Sequence, residues 1–231
     1  MAMSWIELLK DPYSFFMLLS LINIGFYLLN YLFSSYWGSS RKQTLKRKTL
    51  FDFGISLVIL MSNILVAIPG YWLFYYDYIS FDMTSNFFIS ILHLCILVLL
   101  VDFIMYMGHK MSHYLEPFKS FHDKYHTHKE FNELSLYVMH PAEVLGLGMI
   151  FTLVFYGYSF SFYAVVLFLI INWFWGVIAH FNVDKISVPF FFSNNLFHAI
   201  HHRDGRYNLG FYTVFWDKVF GTFSSILIDE K

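Results

Sequence analysis

Long apolar runs separated by short polar segments dominate the pattern of the chain. Runs of membrane-spanning length, about 20 residues for a bilayer, lie at roughly 13–33, 53–76 and 87–107, and a fourth apolar block covers about 142–179. One helix over that block would be about 57 Å long, far longer than a bilayer is thick. The turn-forming sequence Tyr156-Gly157-Tyr158-Ser159 near its middle therefore predicts two helices that form a hairpin.

This pattern predicts an all-α integral membrane protein with about five transmembrane helices, the last two forming the hairpin. Pro69-Gly70 in the second run is expected to kink or shorten that helix. The first run is expected to remain in the mature protein, because no basic segment and small-residue cleavage site accompany it. Neither repeats nor low-complexity linkers interrupt the chain, so a single domain over 1–231 is predicted.

Composition agrees with a membrane protein. The chain is 58% hydrophobic and 13% charged, whereas soluble domains are about 45–50% apolar and about 25% charged. The net charge of -1 provides no basic field for nucleic acid, so nucleic-acid binding is not expected. A single cysteine, Cys95, excludes an internal disulfide or a cysteine-based zinc motif.

The distribution of Lys and Arg predicts the orientation. The segment 41–48, RKQTLKRK, carries five positive charges, whereas the loop 77–85 carries none. By the positive-inside rule, segment 41–48 is cytoplasmic. With alternating crossings, 108–141, everything after 180 and the C-terminus are cytoplasmic too, and the N-terminus lies on the opposite side.

This map places ten of the eleven histidines at one membrane surface. They lie between the third apolar run and the hairpin, or directly after the hairpin. These histidines are His109, His113, His122, His126, His128, His140, His180, His198, His201 and His202. A single span over 142–179 would separate His180 and the last three from the others. The hairpin therefore predicts a histidine-rich helical cap on the cytoplasmic side.

The spacing of these histidines indicates metal binding. Residues at i, i+3 and i+4 project from one face of a helix, and three sets have this spacing: His109 and His113; His122 and His126; His198, His201 and His202. Imidazole suits zinc, copper, iron and nickel. With His180 they provide eight nitrogen donors, more than one tetrahedral or octahedral ion needs, so two metal ions are predicted.

Three histidines have other interpretations. His93 lies sixteen residues before His109, on nearly the opposite face, and is expected to pack or to hydrogen-bond between helices. His128 is expected to be solvated. His140 precedes Pro141 and Glu143, which is typical of a helix start, so both a ligand and a helix-entry role are open.

The histidine motifs, with their neighbours, resemble those of the fatty acid hydroxylase/sterol desaturase superfamily of integral-membrane di-iron enzymes. The resemblance covers about residues 100–223 and includes the following segments: DFIMYMGHKMSH (102–113), FHDKYHTHKEFNELSLYVMHPAE (121–143), HFN (180–182), FHAIHH (197–202), NLG (208–210) and WDKVFGTF (216–223). It implies a histidine-lined di-iron centre at the cytoplasmic surface that uses O2 to hydroxylate or desaturate a lipid C–H bond. Such a monooxygenase or desaturase would act in lipid biosynthesis.

Carried over to this chain, the resemblance implies eight metal ligands: His109, His113, His122, His126, His180, His198, His201 and His202. The second motif departs from the usual H-x-x-H-H because Tyr125 replaces its middle histidine. Three accounts are open: Tyr125 binds as a phenolate, His140 or water fills the position, or the centre is weakened in a catalytically altered relative. Asn182 and Asn208, within the shared motifs, are further candidates near the centre.

Asp102 lies in the third apolar run, seven residues before His109 and on roughly the same face. A carboxylate there is expected to accept an imidazole N–H and to fix the tautomer of a ligand. The alternative is a structural ion pair or a polar contact between helices.

The resemblance also implies reaction partners outside the chain. No G-x-G-x-x-G and no cysteine cluster is present, so a separate cytochrome or ferredoxin type electron donor is expected. Segment 41–48 could help to dock it, or could serve only as a topology determinant. Sterol, fatty acyl, carotenoid and glyceryl-ether substrates are all open.

Two other classes of membrane protein also use histidines. A metal transporter should place ligands at mid-bilayer, and a bis-histidine haem protein needs opposed histidines at one depth in two spans. The sequence favours neither, because only His93 lies mid-membrane.

Overall fold

The computed structural model describes residues 5–40, 48–126, 131–181 and 188–225, without the side chains of residues 5, 38–40 and 124–126. In these ranges the chain is helical, with no strand. The helices, in chain order, are α1 (Trp5–Lys10), α2 (Pro12–Ser40), α3 (Leu50–Leu65), α4 (Ala67–Tyr75), α5 (Phe87–Tyr114), α6 (Phe118–His126), α7 (Pro141–Gly157), α8 (Phe162–Ala179), α9 (Asn195–Arg203) and α10 (Phe215–Phe220). A short 3-10 helix spans Ser135–Tyr137.

Four segments are long and apolar enough to cross a membrane: Pro12–Trp37, Leu50–Tyr75, Phe87–Tyr114 and Phe162–Ala179. Helix α7 is also apolar but has 17 residues, at the short end of the usual range of about 17–25. The all-α membrane fold is confirmed. That α7 is a fifth span, that the cap is cytoplasmic and that the chain is one domain stay predictions.

The second span is interrupted close to the expected position. Helix α3 ends at Leu65, and α4 begins after Val66. Pro69 has no N–H to donate to the carbonyl four residues earlier, which belongs to Leu65. Helix α7 approaches this break closely, because a Cβ built on Gly148 would lie within 3 Å of the Val66 side chain.

Helix α5 packs against α6, α7 and α8 and forms the centre of the bundle. Its buried Leu97 and Val101 share one core with Val154 of α7 and Phe168 of α8. Tyr212, from the segment after α9, reaches into the same core, and its hydroxyl donates to Asn172 Oδ1 of α8 (2.8 Å). The segment after the hairpin is thereby fixed to the membrane helices.

The predicted hairpin is present, with its turn at residues 158–161. His93 holds this turn: its Nδ1 accepts the N–H of Ser161 (2.9 Å), and its Nε2 lies 3.2 Å from the Tyr158 hydroxyl. The interhelical hydrogen-bonding role predicted for His93 is confirmed. The turn therefore lies at the start of α5, so the beginning of α7 and the end of α8 lie at the other end of the bundle.

Candidate metal centre

Four histidines from three helices converge at the end of α5 that is remote from His93. We call this group cluster A: His109, His113, His122 and His201. One nitrogen of each ring lies within 4.8 Å of one from every other ring. Helix α5 supplies the first two at i and i+4, and α6 and α9 supply one each. His122 and His201 are buried.

Three further histidines form a second group beside the first. Cluster B contains His180, His198 and His202, with the same 4.8 Å limit between their nitrogens. His180 is the C-cap of α8, and the other two lie on α9. The ring of Phe131 covers the cluster, with centroids 5.2 Å from His180 and 5.1 Å from His202.

Helix α9 lies between the two clusters. His201 faces cluster A, whereas His198 and His202 face cluster B, and the ring centroids of His201 and His202 are 6.0 Å apart. The i, i+3, i+4 spacing predicted that His198, His201 and His202 share one face of their helix. In the structure, these three histidines are divided between the two clusters. The structure thus brings together seven of the eight predicted side chains. Their role as ligands stays a prediction.

Of the other predicted site residues, some lie outside the two clusters and some outside the described part of the chain. Helix α6 ends at His126, but the side chains of His126 and Tyr125 are not described, and His128 and Asn182 lie outside the described residues. Of segment 41–48, only Lys48 is described. His140 is the N-cap of α7, where its Nδ1 accepts the N–H of Ala142 (3.2 Å), and this geometry supports the helix-entry alternative.

Backbone carbonyls hold three of the imidazole rings. Nδ1 of His109 lies 2.8 Å from the Leu209 carbonyl, and Nδ1 of His201 lies 2.8 Å from the Tyr207 carbonyl. Nδ1 of His180 lies 2.7 Å from the Gly176 carbonyl. Since a carbonyl oxygen only accepts, each Nδ1 must carry the proton, which leaves the lone pair of the neutral ring on Nε2. In His109 and His201 this Nε2 faces cluster A.

The facing Nε2 atoms fit a bound cation. Nε2 atoms lie 3.0 Å apart between His109 and His122, 3.3 Å between His113 and His201, and 3.1 Å between His198 and His202. Two imidazole nitrogens bound to one tetrahedral ion at about 2.1 Å would be about 3.4 Å apart. Each pair is also close enough for one ring to donate an N–H to the other, and its separation differs by no more than about 0.4 Å from that of two nitrogens on one ion, so the donor set fits a metal in each cluster.

Glu143 is a neighbour of cluster A for which the sequence predicted only a position at a helix start. Its Oε1 lies 3.5 Å from Nδ1 of His122, an ion-pair distance that is too long for a hydrogen bond. That oxygen is buried and has no hydrogen-bond partner in the described part of the chain. A carboxylate beside Nδ1 favours a proton there and an Nε2 lone pair on His122.

The role expected for Asp102 is wrong. Its carboxylate accepts no imidazole N–H among the described residues. Instead, Oδ1 accepts the backbone N–H of Tyr212 (2.7 Å) and Oδ2 accepts the hydroxyl of Thr213 (2.5 Å). The structural alternative, a polar contact between elements, is the one observed. Asp102 anchors the segment that places Leu209 beside His109.

Asn208 also fixes this segment, because its side-chain amide binds backbone groups. It has a left-handed backbone (φ 59°) and is fully buried. Its Nδ2 donates to the carbonyls of Phe197 (3.1 Å) and Ser224 (3.0 Å). Asp217, in the motif WDKVFGTF, is a further buried residue beside this segment. Burial raises the pKa of its carboxyl above the ordinary value.

A comparison with protein families gives one match. The model of a family described as fatty acid hydroxylase matches residues 94–222, more than half of the 231 residues. The matched range contains both clusters, the anchoring Asp102 and the segment that follows α9. No curated protein and no solved structure matches the chain.

Proposed function

The chain belongs to the fatty acid hydroxylase family, and we propose that it is a membrane-bound, O2-dependent di-iron oxidoreductase that hydroxylates or desaturates a C–H bond of a lipid. The observation that carries the proposal is the pair of imidazole clusters at one end of a bundle of apolar helices. Family membership favours iron among the metals that imidazole suits.

The residues of the two clusters have distinct tasks in this proposal. Cluster A would hold one ion through four rings, and cluster B would hold the other through three, with His126 as a further ligand. Bound iron supplies the redox chemistry that activates O2 for attack on an unactivated C–H bond. The chain fixes the rings through their Nδ1 contacts, and burial of His201 and His202 keeps bulk water from the site.

The length of α5 supports a centre near the membrane boundary. A helix of 28 residues is about 42 Å long, and the hydrocarbon layer is about 30 Å thick. With Phe87 at the far boundary and no tilt, roughly the last eight residues extend beyond the hydrocarbon, and these include His109 and His113. A lipid chain can reach such a site from the bilayer, whereas a cavity of about 120 Å³ beside Lys10 and Phe162 lies at the opposite end.

Sidedness and the electron donor belong to the same proposal. The five charges of segment 41–48 support a cytoplasmic centre and C-terminus. A soluble or membrane-bound cytochrome or ferredoxin would then supply electrons from that side. A substrate from the sterol, fatty acyl or related lipid classes fits the apolar surroundings.

Tyr125 favours one second candidate, a relative that binds metal without oxygenase activity, because it replaces a histidine of the family motif. The transporter alternative has no comparable support. A transporter needs histidines at mid-bilayer, whereas His93 is bound to Ser161 and Tyr158 of the hairpin turn, near the start of α5.

Expression of the chain in cells grown under 18O2 tests the proposal. We expect lipids that carry 18O, or newly desaturated lipids, with the intact chain and not with His202→Ala. Iron-loaded protein that changes no lipid class would contradict oxygenase activity and favour the second candidate.

A further inference from the structure

The two clusters differ in what holds their rings. In cluster A, the carbonyls that bind His201 and His109 belong to Tyr207 and Leu209, in the segment between α9 and α10. In cluster B, His180 is held by Gly176 of its own helix. Cluster A therefore depends on a non-helical segment that must itself be fixed.

Each of the two supporting peptide groups is held at both edges. The Leu209 carbonyl and the Gly210 N–H belong to one peptide group: the carbonyl accepts from His109, and the N–H donates to Asp217 Oδ2 (2.8 Å). The Tyr207 carbonyl and the Asn208 N–H belong to another: the carbonyl accepts from His201, and the N–H donates to the Thr222 carbonyl (2.8 Å). Because a peptide group is planar, fixing the N–H fixes the direction of the carbonyl.

Asp217 is the common anchor of these two peptide groups. Its Oδ1 accepts the Leu209 N–H (2.8 Å) and the Thr222 hydroxyl (2.7 Å), and its backbone carbonyl accepts the Thr222 N–H (2.8 Å). The carboxylate is fully buried. Gly210 permits this approach, since a Cβ there would lie 2.7 Å from Asp217 Oδ2.

We propose that Asp217 is a positioning residue for the metal in cluster A: it sets the carbonyls of Leu209 and Tyr207, which in turn set the tautomer and direction of His109 and His201. The inference rests on the proposed metal binding. It gives Asp217 and Thr222, at the two ends of the segment DKVFGT, a role that acts on one metal site and not on the other.

Metal binding by Asp217→Asn tests the inference, because an amide offers one acceptor oxygen where the carboxylate offers two. The matched control is Asp52→Asn, which alters another buried carboxylate. Asp52 accepts the N–H of Thr49, the N-cap of α3, and the amide N–H of Asn132. The probe is Co²⁺, titrated into the full-length apoprotein in detergent, with the visible absorption of the bound ion and the melting temperature recorded.

We expect two Co²⁺ per chain for the intact protein and for Asp52→Asn. Asp217→Asn should bind one of the two 10–100-fold more weakly, the usual cost of losing a partner that orients a metal ligand. The loss should persist in the His202→Ala background, where cluster B is disrupted, and be absent in the His201→Ala background, where cluster A is disrupted. A lower melting temperature without loss of affinity would indicate a purely structural role.

Two Co²⁺ bound by Asp217→Asn with unchanged affinities would overturn the inference. Absence of Co²⁺ binding by the intact protein would instead contradict the proposed function. If Asp217→Asn does not fold, Thr222→Val and Thr222→Ser make the same comparison. Removal of the hydroxyl in Thr222→Val should weaken cluster A, and Thr222→Ser should restore it; equal affinities in the two variants would overturn the inference.

Discussion

Gly205 lies directly against a ring of cluster A, and Gly205→Ala is the smallest change that should disturb that cluster. A Cβ built on Gly205 lies 2.5 Å from Cε1 and 2.8 Å from Nδ1 of His113. Ordinary van der Waals contact begins near 3.4 Å, so the ring or the segment must retreat by roughly 1 Å. Gly205 has no left-handed backbone, so alanine itself adds no backbone strain.

A shift of this size exceeds what a metal site tolerates, because ligand geometry must hold within about 0.5 Å. His113 Nε2 lies 3.3 Å from His201 Nε2, and the displaced ring can no longer share an ion with it. We expect Gly205→Ala to lose one metal per chain and to lower turnover at least about 10²-fold, since a 1 Å misplacement alone can cost about that much.

Metal content and turnover of the purified variant would be measured beside Gly108→Ala. Gly108 adjoins His109 in α5, and a Cβ there meets nothing within 4 Å. This control should keep both metals. If Gly205→Ala matches Gly108→Ala in metal content and turnover, the close packing of His113 against this segment does not position the ligand.

Three further predictions concern other parts of the chain. Gly148→Ala should lower the free energy of unfolding by about 1–3 kcal/mol through overpacking against Val66; a melting temperature equal to that of the intact protein would refute the close approach of α7. Tyr125→His should raise metal content if the second motif is weakened, and elemental analysis showing two metals with either residue would refute that account. Hydrogen bonds from Ser85 and Thr84 lower the pKa of Asp82 to about 2. Since the pKa of aspartate in the unfolded chain is about 3.9, these hydrogen bonds stabilise the fold fully above about pH 3.9, and this stabilisation is lost as the pH falls towards 2. The difference in melting temperature between the intact protein and Asp82→Ala should narrow over that pH range. A constant difference would refute the stabilising role of the Asp82 carboxylate.

The membrane helices and the hairpin could be predicted from the sequence because their signals are local. Apolar runs of fixed length and a turn sequence suffice, and the turn observed at 158–161 overlaps the predicted one. The same map predicted that His180 lies at the same end of the bundle as His109 and His113, since the hairpin returns the chain to the end of α5.

The assignment of individual contacts depended on tertiary structure. Asp102 binds Tyr212 and Thr213, more than a hundred residues later in the chain, and no spacing rule predicts that partner. The division of His201 and His202 between two clusters depends on what packs on either side of α9. Helical spacing alone treats these residues as neighbours on one face.

The supporting carbonyls of Tyr207 and Leu209 could not be found by residue type, because every residue has a carbonyl. The nearest available signal was the segment WDKVFGTF, which contains the anchor Asp217. Its function became apparent only from the peptide groups that connect it to the histidines.

The iron content of detergent-purified protein, measured by elemental mass spectrometry for the intact chain, His201→Ala and His202→Ala, tests the central claim most directly. Two irons per chain, falling to one in each variant, are predicted, because the two residues belong to different clusters. An intact chain without bound iron, or variants that both retain two irons, would contradict a di-iron centre built from these histidines.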